Sequence, residues 1–107
     1  MMLAWFDTKG VDALAAAMAR ELAKRVPPER VDAEGKKAHA KQQRTHDLVL
    51  QQAHDYARAN KLNVYTKARL ANQFKWALSE AGYPKAFADA MTYELAAIVA
   101  AAESKRT

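Results

Sequence analysis

The residues best suited to chemistry in this chain of 107 residues are three histidines, His39, His46 and His54. An imidazole can bind a metal ion or transfer a proton near neutral pH. Because His39 and His46 stand seven residues apart, a helix would hold them about 10 Å apart along its axis. A metal pair on one helix needs a spacing of about four residues, and His54 points in another direction. We therefore expect ordinary surface histidines and no metal site.

Other catalytic arrangements are also missing from the sequence. The chain has no cysteine, which excludes disulfides, thiolate zinc sites and cysteine nucleophiles. Its glycines, Gly10, Gly35 and Gly82, are isolated, so no phosphate-binding loop or nucleophile elbow is present. Asp47 and Asp55 each have an arginine three residues away, which is typical of weak surface pairs on a helix. The sequence predicts a protein that is not an enzyme and that holds no cofactor.

Attraction of phosphate needs only a cluster of cations, and one such cluster lies in "KKAHAKQQRTH". This basic patch consists of Lys36, Lys37, Lys41 and Arg44, in a chain with a net charge of +5. A solvated helix face would explain the same residues. The turn "AGYP" resembles a helix-turn-helix connection, but the following helix carries only Lys85 near its start. Association with nucleic acid is therefore the alternative function and not the first.

Trp76 is the residue least explained by its own helix. At about 100° per residue, "YTKARLANQFKWALSEAGYP" places its large apolar side chains on one face and Trp76 on the other. An aromatic ring among polar residues is typical of a binding interface. Alternatively, Trp5 and Phe6 or the second helix cover the ring, or the ring stacks on a nucleic-acid base. The predicted partner interface consists of Trp76, Arg69, Asn72, Gln73 and Tyr93.

Helical periodicity and end signals divide the chain into four segments. A Pro-Pro pair ends the first segment, and "NKLNVY" separates the second from the third. Thr66 is the expected cap of the third helix. Gly82 suits the left-handed position after that helix, Tyr83 would reach back to Leu78, and Pro84 would open the fourth helix. The expected helices cover about 8–25, 36–59, 66–81 and 85–103.

Composition favours a single all-α domain over residues 1–107. Alanine, the strongest helix former, accounts for 25 residues, whereas Leu, Ile, Val and Phe together account for only 19. A chain of this length can bury one modest core. We expect a small three- or four-helix bundle with a carboxyl-terminal antiparallel helical hairpin. Its last helix has a face of large residues and a face of alanines, and the alanine face either packs on a second subunit or only supplies helix propensity.

Two stretches, "FDTKGVDALA" and "NVYTKARLANQFKWALSEAGYPKAFADAMTYELA", resemble small all-helical bacterial proteins to which no activity is attached. They cover 44 of the 107 residues and leave the middle of the chain unmatched. The resemblance implies a helical fold and a bacterial source. It transfers no binding or catalytic residue to this chain.

These observations predict a non-enzymatic helical interaction module. The expected partner is a second copy in a homodimer, through the alanine-rich helices or the Trp76 face, and another protein is a further candidate. No segment approaches about 18 consecutive apolar residues, and the first residues lack the basic region and long apolar run of a signal peptide. We therefore expect a cytoplasmic location and no membrane association.

Overall fold

The computed structural model describes residues 8–32 and 35–104, and this part of the chain contains four α-helices and no strand. A short 3-10 turn, Pro28–Arg30, follows the first helix. The helices are α1, Lys9–Arg25; α2, Lys36–Ala59; α3, Val64–Ala81; and α4, Lys85–Ser104. The predicted all-α bundle is confirmed, with four helices and with α3 and α4 as a hairpin.

The helices form a ring in which α1 packs against α3 and α2, and α4 packs against the same two helices. Helices α2 and α3 follow each other in sequence but lie diagonally opposite. The connection between them, residues 60–63, therefore crosses one end of the bundle. Sequence periodicity identifies the buried face of a helix but not the helix that it meets, so this order is a property that the structure adds.

Contacts between the helices fix their directions. The start of α1 meets the start of α3 through Asp12 and Arg69, so these two helices run parallel. His46 near the middle of α2 meets Glu94 near the middle of α4, and His54 and Ile98 line one hollow further along both helices. Helices α2 and α4 are therefore also parallel. Successive helices alternate in direction along the chain.

The core joins a few large side chains to many small ones. The largest fully buried residues are Phe74, Met18, Leu22, Leu50, Leu70, Leu78, Leu95 and Val49. Six further core residues are alanines: Ala15, Ala19, Ala53, Ala57, Ala88 and Ala102. An alanine at a helix contact lets the two backbones approach closely, so a small number of large side chains can fill the space. This explains how a sequence with so few large apolar residues forms a core.

The start of α3 differs from the prediction that Thr66 is its cap. The cap is Asn63, whose side-chain oxygen accepts a 2.8 Å hydrogen bond from the backbone N–H of Thr66. The hydroxyl of Thr66 in turn accepts a 3.0 Å bond from the backbone N–H of Asn63. This reciprocal arrangement is a capping box, and it starts the helix at Val64. Thr66 takes part in the cap from inside the helix.

The end of α3 follows the predicted pattern. Gly82 has a φ of 102°, in the left-handed region that favours glycine. Its N–H bonds to the carbonyl of Ser79, and the N–H of Tyr83 bonds to the carbonyl of Leu78 at 3.1 Å. These two bonds define a Schellman motif. Helix α4 begins at Lys85, the predicted start, directly after Pro84.

Candidate interaction surfaces

The histidines lie apart from one another. Among residues 8–32 and 35–104, no three His, Asp or Glu side chains come close enough together to hold a metal ion. His39 is exposed on the first half of α2, where no residue up to Arg44 is fully buried. His46 is half-buried between α2 and α4, and it is the histidine with the most specific surroundings.

Both ring nitrogens of His46 face carboxylates. Its Nε2 lies 2.8 Å from an oxygen of Glu94 on α4, and its Nδ1 lies 3.0 Å from Asp47 on its own helix. Burial of the ring lowers the pKa of His46, but the hydrogen bonds to Glu94 and Asp47 outweigh burial, so the net shift raises the pKa. Only the imidazolium can donate to both carboxylates at once. The contact between Nε2 and Glu94 joins α2 to α4, and it is strongest when the ring is protonated.

Trp76 is exposed on α3. The residue is 64% accessible, its neighbour Asn72 is exposed, and Gln73 is half-buried. Helix α2, one of the two covers considered for this ring, lies diagonally across the bundle from α3. Trp5 and Phe6, the other predicted cover, lie outside the described residues.

Arg69, a predicted neighbour of Trp76, binds within the same chain. Its Nε and Nη2 donate to the two carboxylate oxygens of Asp12 on α1, at 2.9 and 3.2 Å. The hydrogen bonds from Arg69 hold the pKa of Asp12 below its usual range, against the opposing effect of desolvation. Because Trp76 lies within about 20° of Arg69 on the helix wheel, Trp76 is on the α1 side of α3.

Tyr93 belongs to a different surface from Trp76. It lies on α4, and the residue is 78% accessible. Around it, the outward side of α4 carries four alanines that, together with Tyr93, follow alternating spacings of four and three residues. We call this surface the α4 outer face, and it consists of Ala86, Ala90, Tyr93, Ala97 and Ala100, all exposed. The structure thus divides the predicted interface residues between the α1 side of α3 and the outer face of α4.

The predicted basic patch is exposed along the first half of α2. Lys36, Lys37, Lys41 and Arg44 are all exposed, and within the part of the chain that the structure describes none of them forms an ion pair. Lys36 and Lys37 lie at the start of the helix. Lys41 lines a cleft between α1 and α2, and Arg44 lines the hollow next to it.

The cleft between α1 and α2 also contains cations that do not belong to the predicted basic patch. It has a volume of about 240 Å³ and is lined by Lys24 and Arg25 at the end of α1, Arg30 of the 3-10 turn, and Lys41 of α2. The basic residues on both sides of the Pro-Pro pair were the available signal, because a sharp turn there returns the chain towards α1. We call Lys24, Arg25, Arg30, Lys41 and Arg44 together the basic groove.

Comparison of the chain with protein-family models, curated proteins and solved structures finds no match in any of the three. The resemblance to small bacterial proteins therefore stays a prediction. None of the helices in the described part of the chain has the length and apolar character needed to cross a membrane.

Proposed function

We propose that the protein is a non-enzymatic helical interaction module that self-associates through the α4 outer face, in the cytoplasm and without a cofactor. The observation that carries this proposal is the exposed row of alanines with Tyr93 at its centre. Spacings of four, three, four and three residues form the seam along which two helices pack in a coiled coil. In this bundle the core seam of α4 is already filled by Met91, Leu95 and Val99. The α4 outer face is therefore a second seam on the same helix, and it is exposed.

The α4 outer face is complementary to itself. A twofold axis through Tyr93 would place Ala86 opposite Ala100 and bring Ala90 close to Ala97 of a second copy. Such an antiparallel contact is isologous, the commonest kind in homodimers. Alanines on both sides allow a close approach of the helices, and the two Tyr93 rings would pack at the centre.

The size of this face predicts a weak dimer. A helix of 20 residues is about 30 Å long, and a strip about 10 Å wide along it offers about 300 Å² per partner. Stable complexes bury about 800 Å² per partner. We therefore expect a dissociation constant of about 10 to 1,000 μM, in the range of transient contacts.

The Trp76 surface is the competing location for the same activity. A large exposed aromatic beside an anchored arginine has the composition of a binding hot spot. It lacks the repeated, self-complementary pattern of the α4 outer face, because its neighbours on the helix wheel, Asn72 and Gln73, are polar. We therefore assign self-association to α4 and use Trp76 as the comparison in the test.

Sedimentation velocity over a concentration range from about 10 to about 1,000 μM tests the proposal. The wild-type chain should rise from its monomer mass of 11.9 kDa towards twice that value. Ala97→Glu should weaken association at least about tenfold, because it places a carboxylate in each half of an apolar seam. Ala13→Glu is the matched control, since Ala13 is an exposed helical alanine on α1.

Three outcomes would contradict the assignment. A wild-type mass that stays at the monomer value over the whole concentration range would contradict self-association. Equal effects of Ala97→Glu and Ala13→Glu would show that added charge, and not its position, weakens assembly. Loss of assembly in Trp76→Ala together with an unchanged Ala97→Glu would move the interface to the α1 side of α3. Circular dichroism of each variant establishes that its helices are retained.

A further inference from the structure

The basic groove collects positive charge from three separate parts of the chain. Lys24 and Arg25 close α1, Arg30 lies in the 3-10 turn, and Lys41 and Arg44 lie on α2. Two hollows along this line share Arg25 and Lys41 as lining residues, so they are neighbours on the surface. On α2 their linings together extend from Ala38 to Gln51, which is about 20 Å along the helix axis.

The charge in this groove is largely uncompensated. Arg25 is paired with Glu21 of its own helix, and the charge of Lys24 acts on the same carboxylate without forming an ion pair. Lys24, Arg30 and Lys41 have no ion-pair partner in the described segments 8–32 and 35–104. Asp47 is the carboxylate among the lining residues, and its oxygen already contacts the ring of His46. Cations held close together without acidic partners repel one another, and a bound polyanion relieves that repulsion.

We propose that the basic groove binds the phosphate backbone of single-stranded nucleic acid without sequence preference. The two hollows are shallow and lie on the surface of the bundle, along the line where α1 and α2 pack together. A flexible single strand can follow this line with cations on both sides, whereas a rigid duplex or a flat membrane surface would touch only the rims. The lining contains no aromatic residue on which a base could stack. Binding therefore acts on phosphates and not on bases.

The groove is independent of the surface assigned to self-association. It lies between α1 and α2, whereas the α4 outer face points away from the bundle at the corner diagonal to α1. A dimer formed through α4 would leave the groove accessible in both copies. Failure of either proposal therefore leaves the other unaffected, and the two tests use different residues.

Fluorescence anisotropy with a labelled single-stranded DNA of mixed sequence, about 20 nucleotides long, tests the inference. With about four phosphates neutralised, the slope of log affinity against log salt should be about −3, since each contact contributes about −0.7. Affinity should then fall about 50-fold between about 50 and about 200 mM salt. A duplex of the same length should bind no more tightly than the single strand.

A pair of matched double variants locates the binding site. Arg30→Gln with Lys41→Gln removes two cations of the groove and should reduce the magnitude of the salt slope by about 1.4. Arg58→Gln with Lys61→Gln removes one arginine and one lysine that are equally exposed, about 25 Å along from Lys41 beyond the far end of the groove, and should leave the slope unchanged.

Several results would overturn the inference. These are an absence of binding at about 50 mM salt, equal losses in the two double variants, and tighter binding of the duplex than of the single strand. Co-sedimentation with vesicles rich in phosphatidylserine, combined with no binding of DNA, would assign the groove to a membrane surface instead. A change in thermal unfolding that matches the loss of binding would show that the groove variants act through stability.

Discussion

The hydroxyl of Tyr83 donates a 2.5 Å hydrogen bond to the backbone carbonyl of Val26 and so joins the end of α1 to the turn between α3 and α4. The ring of Tyr83 stacks on Phe87 with the ring centroids 5.0 Å apart, and its backbone N–H completes the Schellman motif with Leu78. Burial of the ring, assisted by the charge of Glu29, raises the pKa of Tyr83 to about 12. The hydroxyl therefore remains a donor throughout the physiological range.

Replacing Tyr83 by phenylalanine should lower the free energy of unfolding by about 1 to 2 kcal/mol, because the buried carbonyl of Val26 loses its donor. Urea denaturation followed by circular dichroism measures the change. Tyr93→Phe is the matched control, since it removes an identical hydroxyl from an exposed ring and should change the stability very little. Equal losses in the two variants would contradict a specific role for the bond to Val26.

The contact between His46 and Glu94 predicts a stability that depends on pH. Because the pKa of His46 is raised in the folded chain, the stabilisation is complete below the ordinary histidine pKa of about 6.5 and is lost as pH rises through the raised value. Glu94→Gln should therefore cost more at acidic than at alkaline pH. The difference should stay below about 1 kcal/mol, since Glu94 is half exposed to solvent.

Urea denaturation at several pH values from about 5 to about 8 measures this difference. Glu80→Gln is the control, because Glu80 is an exposed carboxylate on α3. Its effect should not vary across the titration of His46. A cost of Glu94→Gln that is constant with pH, or that grows as pH rises, would show that the imidazolium does not hold α2 against α4.

Local sequence signals predicted much of this fold, but they could not predict which helices contact each other. Gly82 and Tyr83 form the predicted end of α3 because a Schellman motif depends on a few successive residues. The wheel likewise predicted that Trp76 lies away from the core. The pairing of Asp12 with Arg69 spans 57 residues and depends on which helices are neighbours in the ring. Periodicity is the same for every order of the helices, so it cannot select one.

The interaction surfaces also have a part that the sequence could predict and a part that depends on the fold. The exposed cations of α2 follow from the weakly apolar first half of that helix. Their meeting with Lys24, Arg25 and Arg30 depends on the direction in which the chain leaves the Pro-Pro pair, which composition does not determine. The start of α3 was within reach of sequence reasoning, since Asn63 and Thr66 have the spacing of a capping box. Thr66 is itself a good cap residue, and the two asparagines before it suit a loop, so local signals favour the later start.

The capping box predicts that Asn63→Ala lowers the free energy of unfolding by about 1 kcal/mol. The substitution removes the acceptor for the backbone N–H of Thr66 at the exposed start of α3. Asn72→Ala is the control, because Asn72 is exposed in the middle of α3, where alanine has the higher helix propensity. Thermal unfolding should show a loss for the first variant and no loss for the second. A stable Asn63→Ala protein would return the role of cap to Thr66.

Gly82 should be sensitive to substitution through its backbone and not through its packing. A Cβ at this position would lie 3.8 Å from the ring of Pro28, which is an ordinary contact, but the φ of 102° is strained for any residue with a side chain. Gly82→Ala should therefore cost about 1 kcal/mol, and Gly82→Asn less, because asparagine tolerates the left-handed region better. Urea denaturation of both variants measures the order. If alanine cost no more than asparagine, the cost would not come from the left-handed backbone, and the turn would have to close in another conformation.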